Sequence, residues 1–302
     1  MINKISNLKL ILGLAVLVLA YVAVVYFDSS KSAPLNKQLI TIDTSQVTRI
    51  VIQNNREQVN LSNTSGQWQV TLPSGKKVSA TSSKVRALMN TLLNIQTDRL
   101  AAKDKAKWSN YQVDSTGTIL KVFEGEHSTL DMVIGQLGAN SYIRLAGETE
   151  VYASDNFKGL STSETINHYR NNTFVKMPTD SIRSISFFYP GDSSFQVTND
   201  QGQWLIEEGV YADSTRMVDY LNGFIEANND NFSQQDGSSV GSKLGEIVLQ
   251  VHNQPQVTLT AYQDVADSVV YQSSVNDEAY FNDRGLGKAM FIGKAQLLSK
   301  PE

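Results

Sequence analysis

The chain has 302 residues, 41% hydrophobic and 19% charged, enough apolar material for one large domain or two of ordinary size. A formal net charge of −4 leaves no basic surface for nucleic acid. Cysteine is absent, which excludes disulfides, thiolate metal sites, thiol catalysis and cysteine acylation.

Residues 10–27, LILGLAVLVLAYVAVVYF, contain no charge and no proline. A helix rises about 1.5 Å per residue, so roughly 18–20 such residues cross a hydrocarbon core of about 30 Å. Lys4 and Lys9 precede the run with no acid between them, which places residues 1–9 in the cytoplasm and the chain from residue 28 outside. Tyr26 sits where an interfacial aromatic anchors. A cleaved signal peptide would have a shorter apolar stretch and a better small-x-small site than Ala20-Tyr21-Val22-Ala23, so the expectation is a retained single-pass anchor. Residues 28–38 begin DSSKSAPLN and read as a polar linker. Without Lys4 and Lys9 the exterior part has 24 basic against 30 acidic residues, a balance that disfavours lying flat on anionic lipid. The missing disulfides point to a bacterial source, and the location expected is the cytoplasmic membrane with a periplasmic body.

The remainder is one module written twice. Residues 80–93, ATSSKVRALMNTLL, align without a gap with residues 212–225, ADSTRMVDYLNGFI. Gly66-Gln67-Trp68 recurs as Gly202-Gln203-Trp204, Val47 and Ile50 as Ile182 and Ile185, Leu120 and Val122 as Leu249 and Val251, and Tyr142 as Tyr271. The shared order indicates a tandem duplication, with repeats over 39–158 and 177–302 and a connector over 159–176.

Within each repeat, apolar residues at period two come first: Ile50 and Ile52, Val59 and Leu61, Trp68 and Val70. Val85, Leu88, Met89 and Leu92 then make a helical stripe, with Ser82 or Ser83 as its cap; Met217, Tyr220, Leu221 and Phe224 repeat it, capped by Asp213 or Ser214. Further strands are predicted at 119–123, 130–134, 142–145 and 151–152, and again at 247–251, 257–262, 269–271 and 280–281, with turns at Glu124-Gly125-Glu126 and Asn253-Gln254-Pro255. The predicted class is α+β: an N-terminal transmembrane helix, then two tandem repeats of an antiparallel sheet with one packed helix each. Trp68 and Trp204 are read as core residues rather than ligand platforms, because they recur at the same point of both repeats.

Tyr111-Gln112-Val113-Asp114-Ser115, the glycine of Met132-Val133-Ile134-Gly135, and residues 141–152 (SYIRLAGETEVY) together resemble the domain-of-unknown-function 4340 family. There a "Tyr-Gly-Leu-Asp" segment, an "Ile-Gly" turn and a "Tyr-Val-Arg-Leu…Val-Tyr" stretch follow in that order. With the tryptophan-plus-helix segment before and Tyr169-Arg170 after, the likeness covers most of 47–170 and is weaker in the second copy. Gln112 stands where the family usually has glycine. The resemblance implies a membrane-anchored envelope protein, often encoded beside ABC-transporter genes of the gliding-motility auxiliary type, with no enzymatic activity. The Asp-Ser pairs at 114–115, 180–181, 213–214 and 267–268 also resemble acceptors of bacterial O-glycosylation, although turn and cap roles explain the same residues.

No catalytic constellation emerges. His127, His168 and His252 are far apart and in no metal-ligand spacing. Gly191-Asp192-Ser193-Ser194 lacks the nucleophile-elbow glycines, and Gly285-Leu286-Gly287-Lys288 lacks the spacing of a phosphate loop. Residues 228–237 depart from calcium-loop spacing and read as a polar mobile loop, while Glu207-Glu208 would point to opposite faces of a strand. The expectation is therefore no catalytic, cofactor or metal site, and no enzyme. The expected role is an accessory or subunit of an ABC-type transporter or other envelope complex, with permease or ATPase subunits as partners. Two alternatives stay open: a glycan- or lipid-binding module using an aromatic row drawn from Tyr142, Tyr152, Tyr189, Tyr211 and Tyr271, and, ranked last, a hydrolase.

Overall fold

The computed structural model describes residues 14, 16–19, 21, 22, 40–160, 164–207, 209–233, 240–264 and 268–298. Most of the expected anchor, and residues 1–9 and 28–38 beside it, lie outside these. Leu14, Val16 to Leu19, Tyr21 and Val22 are helical with exposed side chains. Among the described residues no helix is long and apolar enough to cross a membrane.

The chain divides into two compact units, Met1–Gly66 with Ser82–Thr165, and Gln67–Thr81 with Ile166–Glu302. The architecture is mostly sheet with few helices. Strands β1 (Val47–Gln53), β2 (Gln58–Thr64), β3 (Gln67–Thr71), β4 (Lys77–Ser79), β5 (Arg99–Ala102), β6 (Thr118–Glu124), β7 (His127–Leu137), β8 (Asn140–Leu145) and β9 (Val151–Ser154) form one sheet. Its order is β4-β3-β2-β1-β6-β7-β8-β9-β5. Period-two alternation makes it: Ile50 pairs with Leu61 on one side and Val122 on the other, Ile52 with Val59 and Leu120, and all six are buried. Helix α1 (Ser82–Leu93) buries the expected stripe Val85, Leu88, Met89 and Leu92. It begins at Ser82, so Ser82 and Ser83 lie in its first turn and do not cap it.

Beyond the short helix α2 (Ile166–Tyr169), strand β10 (Thr173–Val175) pairs with β15 (Ala227–Asn228) as a small separate sheet. The other strands are β11 (Ile182–Phe188), β12 (Phe195–Asp200), β13 (Gln203–Glu207), β14 (Val210–Tyr211), β16 (Lys243–Val251), β17 (Val257–Gln263), β18 (Val269–Ser273) and β19 (Asn276–Phe281). They form a second sheet in the order β14-β13-β12-β11-β16-β17-β18-β19. Apart from β5, this is the order of the first sheet. Helix α3 (Ser214–Asn222) is capped by Asp213, which accepts from the Arg216 amide at 3.1 Å, as expected from sequence. Met217, Tyr220 and Leu221 from α3 and Phe224 beyond it join a core with Ile185, Phe187, Val197 and Trp204. Helix α4 (Arg284–Met290) adds Leu286 and Met290.

The two sheets fit a tandem repeat in detail. The β1–β6 ladder shifts register between Val47 and Arg49; the β11–β16 ladder shifts between Ile182 and Ser184, the matching positions. Each second hairpin turns through a left-handed pair, Ser65-Gly66 and Gln201-Gly202. In each, an asparagine carboxamide oxygen accepts from the turn glycine's amide: Asn63 from Gly66 at 2.9 Å, Asn199 from Gly202 at 2.8 Å. Trp68 and Trp204 are both buried, and their carbonyls accept from the amides of Ala80 and Ala212.

The stretch 228–237 is expected from its composition to be a mobile polar loop; residues 234–237 lie outside the described residues, and for 228–233 the expectation is corrected. Instead Asn228 belongs to β15, Phe232 bridges to Phe281, and the Asn229 and Asn231 carboxamides each donate to the Asp283 carboxylate at 2.8 Å. Short polar side chains that look like loop composition are here hydrogen-bond ties.

Candidate functional site

The first unit differs from its repeat in the segment 99–118, which carries the motif residues. Asp104 accepts from the Ala106 amide at 3.0 Å and starts two consecutive 3-10 turns ending at Tyr111. Gln112 then adopts a left-handed conformation at φ +54°, a region that favours glycine. Asp114 closes a turn by accepting from Thr116 through its hydroxyl at 2.6 Å and its amide at 3.0 Å. The Thr116 hydroxyl, and secondarily its amide, hold the Asp114 carboxyl below the usual carboxylate range.

The segment is fastened by motif residues from β7 and β8. Val113, Val133, Tyr142, Val151, Ala102 and Ala153 make a small core of their own, with Trp108 and Tyr111 half-buried against it. The Tyr111 and Tyr142 rings lie 4.7 Å apart. The Arg144 guanidinium lies 3.9 Å from the centre of the Trp108 ring, and its Nε donates to the Val113 carbonyl at 3.0 Å. Gly135 lies mid-strand in β7, opposite Tyr142, and not in a turn. A Cβ there would stand 1.9 Å from the Tyr111 carbonyl oxygen, so glycine is what lets the motif segment lie directly on β7.

Beside this contact is a cavity of about 380 Å³. Asn55 and Arg56 from the β1–β2 turn, Gln112 and Thr116 from the motif segment, and Gln136 from β7 supply its polar wall. Ile134 and Leu160 are apolar members of the lining, and Glu164 lines it too. The turn is held by Asn54, whose carboxamide oxygen accepts from the amides of Arg56 at 2.8 Å and Glu57 at 3.0 Å. Asn55, Arg56, Gln112 and Gln136 are exposed. Sequence reasoning missed this site. Its one sequence signal was glutamine at a glycine position; the other lining residues are ordinary polar residues that only folding brings together.

The remaining sequence candidates fall elsewhere. Tyr142, Tyr152 and Tyr271 are buried, and Tyr189 donates its hydroxyl to the Ile292 carbonyl at 2.9 Å, with burial pushing its pKa up to about 12. Only Tyr211 of the five is exposed, so they form no aromatic row. His127 opens β7, His168 lies edge-on to Tyr169, and His252 touches Arg183 at a broad open trough of about 810 Å³ in the second unit. The Ser194 hydroxyl donates to the Tyr189 carbonyl and accepts from its amide, closing a turn. Gly285, Leu286, Gly287 and Lys288 belong to α4, whose cap is Asp283. Glu207 is paired with Lys294. Among the acceptor-like pairs, Asp213 caps α3 and the Ser181 hydroxyl donates to the Pro178 carbonyl. Asp267 lies outside the described residues.

A family model described as Domain of unknown function (DUF4340) matches residues 68–241, more than half of the chain. The chain belongs to this family. The match begins later than the likeness read from the motifs and runs on through the first half of the second sheet, so the family's unit includes α3 as well as Gly135 and Arg144. No curated protein and no solved structure matches the chain.

Proposed function

We propose that this DUF4340 protein is a non-catalytic extracytoplasmic module, tethered to a bacterial membrane by residues 10–27, that serves as an accessory or subunit of an ABC-type transporter or a related envelope complex. The observation that carries the reading is the uncharged run itself, preceded by Lys4 and Lys9 and followed by a polar linker and a duplicated sheet module. Its described residues leave large apolar side chains bare, Leu19 at 68% and Tyr21 at 71%, which water disfavours and lipid or a partner helix accommodates. The carboxylates with depressed pKa support a structural rather than chemical use: Asp43 and Asp114 close turns, Asp283 caps a helix, and Glu226 is held by Asn228 and Lys176. The family resemblance supplies the transporter context.

The test is affinity purification of the full chain from gently solubilised native membranes. Co-purification of a permease or ATPase supports the proposal; recovery of the protein alone, or from the soluble fraction, rejects it. A sugar-binding reading is favoured separately by the polar cavity.

A further inference from the structure

We propose that the cavity beside Gln112 binds a neutral saccharide of one or two sugar units. This goes beyond the tethered-accessory reading and does not depend on it. Charge comes first: Arg56 and Glu164 are the two charged residues of the lining and are opposite in sign, and the rest of the polar wall is carboxamide and hydroxyl. An anion or a cation would gain one contact and meet one repulsion, whereas a neutral ligand meets neither.

The donor pattern narrows the chemistry further. Asn55, Gln112 and Gln136 each carry one acceptor oxygen and one two-proton donor in a fixed plane. Adjacent sugar hydroxyls, each both donor and acceptor, match that array. Ile134 and Leu160 are buried beneath the polar lining and form the cavity's apolar floor. A volume of about 380 Å³ lies at the small end of the ligand-site range of roughly 300–1,000 Å³, room for a short saccharide and not for a polymer segment.

The backbone adds an independent argument. Gln112 sits at φ +54°, a conformation unfavourable for a non-glycine residue, and its side chain is what glycine would remove from this wall. A Cβ on Gly117 would lie 2.4 Å from the Gln112 carbonyl oxygen and one on Gly135 2.8 Å from the same atom, so that position is held on two sides. A backbone position held this firmly at the cavity's wall presents the exposed Gln112 side chain from a fixed point, which favours binding of a ligand there.

The experiment is saturation-transfer NMR on the full chain in lipid nanodiscs, free of glycoside detergents. Maltose, cellobiose and diacetylchitobiose are presented at about 5 mM each, enough to occupy a site with Kd near 1 mM. At least one should show transfer. Gln136→Ala should weaken it about tenfold with unchanged melting, and Gln112→Gly should weaken it while raising melting, a pairing that a purely structural role cannot give. The proposal is overturned if none of the three sugars shows transfer, if transfer survives both substitutions, or if a capped tripeptide binds where the sugars do not. None of these outcomes alters the co-purification result, so the two readings fail separately.

Discussion

Single atoms decide how the motif segment lies on its sheet. At Gly135 one added methyl would stand 1.9 Å from the Tyr111 carbonyl oxygen, and backbone cannot yield as a flexible side chain can. Gly135→Ala should therefore cost at least about 2–3 kcal/mol, read as a fall in denaturant midpoint; an unchanged midpoint would show that the segment moves freely. Gln112→Gly works in the opposite direction, relieving left-handed strain for a net gain of up to about 1 kcal/mol. Asp283 is a second such point. Its carboxylate accepts from Asn229, Leu286, Asn231 and Gly285, and these bonds, that of Asn229 foremost, hold its pKa at about 2 against an ordinary 3.8. A depressed folded-state pKa gives stability that is fully present above about pH 4 and is lost as pH falls from 3.8 through about 2. Asp283→Ala should cost about 1–2 kcal/mol at neutral pH and remove that part of the acid dependence; equal acid profiles for variant and parent would refute the assignment.

At the scale of elements, what folds by local periodicity was readable and what folds by long-range fastening was not. Alternation gave β1 to β3 and β6 to β9, and the i, i+3, i+4, i+7 stripe gave α1 and α3, because burial on one face leaves a period in the sequence. Strand β5 and the 3-10 turns after it have no such period. Strand β5 is held by pairing with β9, and the turns by Arg144, Trp108 and Gly135, residues far apart in sequence. The cavity is likewise lined from stretches far apart in sequence, residues 54–56, 112–118, 134–138, 160 and 164, and so was invisible beforehand apart from Gln112. Arg144→Lys tests this fastening. Lysine cannot both stack its head on Trp108 and hold the Val113 carbonyl as the guanidinium does. Hydrogen exchange should accelerate at residues 104–113 while β1 and β6 keep their protection; uniform acceleration would mean that the segment is not a separate opening unit.

For the whole molecule, the duplication accounts for the order of the two sheets but not for the limits of the compact units. Gln67–Thr81, a hairpin early in sequence, belongs with Ile166–Glu302. Within that unit the Thr81 amide donates to the Tyr169 carbonyl at 2.8 Å and the Asn171 amide to the Ser79 carbonyl at 2.8 Å. The Thr81 hydroxyl donates to the Arg170 carbonyl at 3.0 Å, and the Ser79 amide to the Glu278 carboxylate at 2.8 Å. Glu278 in turn supports the charge of buried Arg170, whose guanidinium lies 3.9 Å from the centre of the Phe232 ring. No periodicity announces such a tie, because it uses backbone groups, one hydroxyl and one carboxylate rather than an apolar face. A fragment of residues 166–302 keeps its own apolar core, and keeps Glu278 beside Arg170, but loses four hydrogen bonds to the hairpin. At about 1 kcal/mol per bond, that loss is on the order of 4 kcal/mol, a large part of the stability of an ordinary domain. The fragment should therefore melt well below the intact protein, and a synthetic peptide of Gln67–Thr81 added in excess should raise its melting temperature. Full stability of the fragment alone, with no response to the peptide, would show that the second repeat folds without the hairpin.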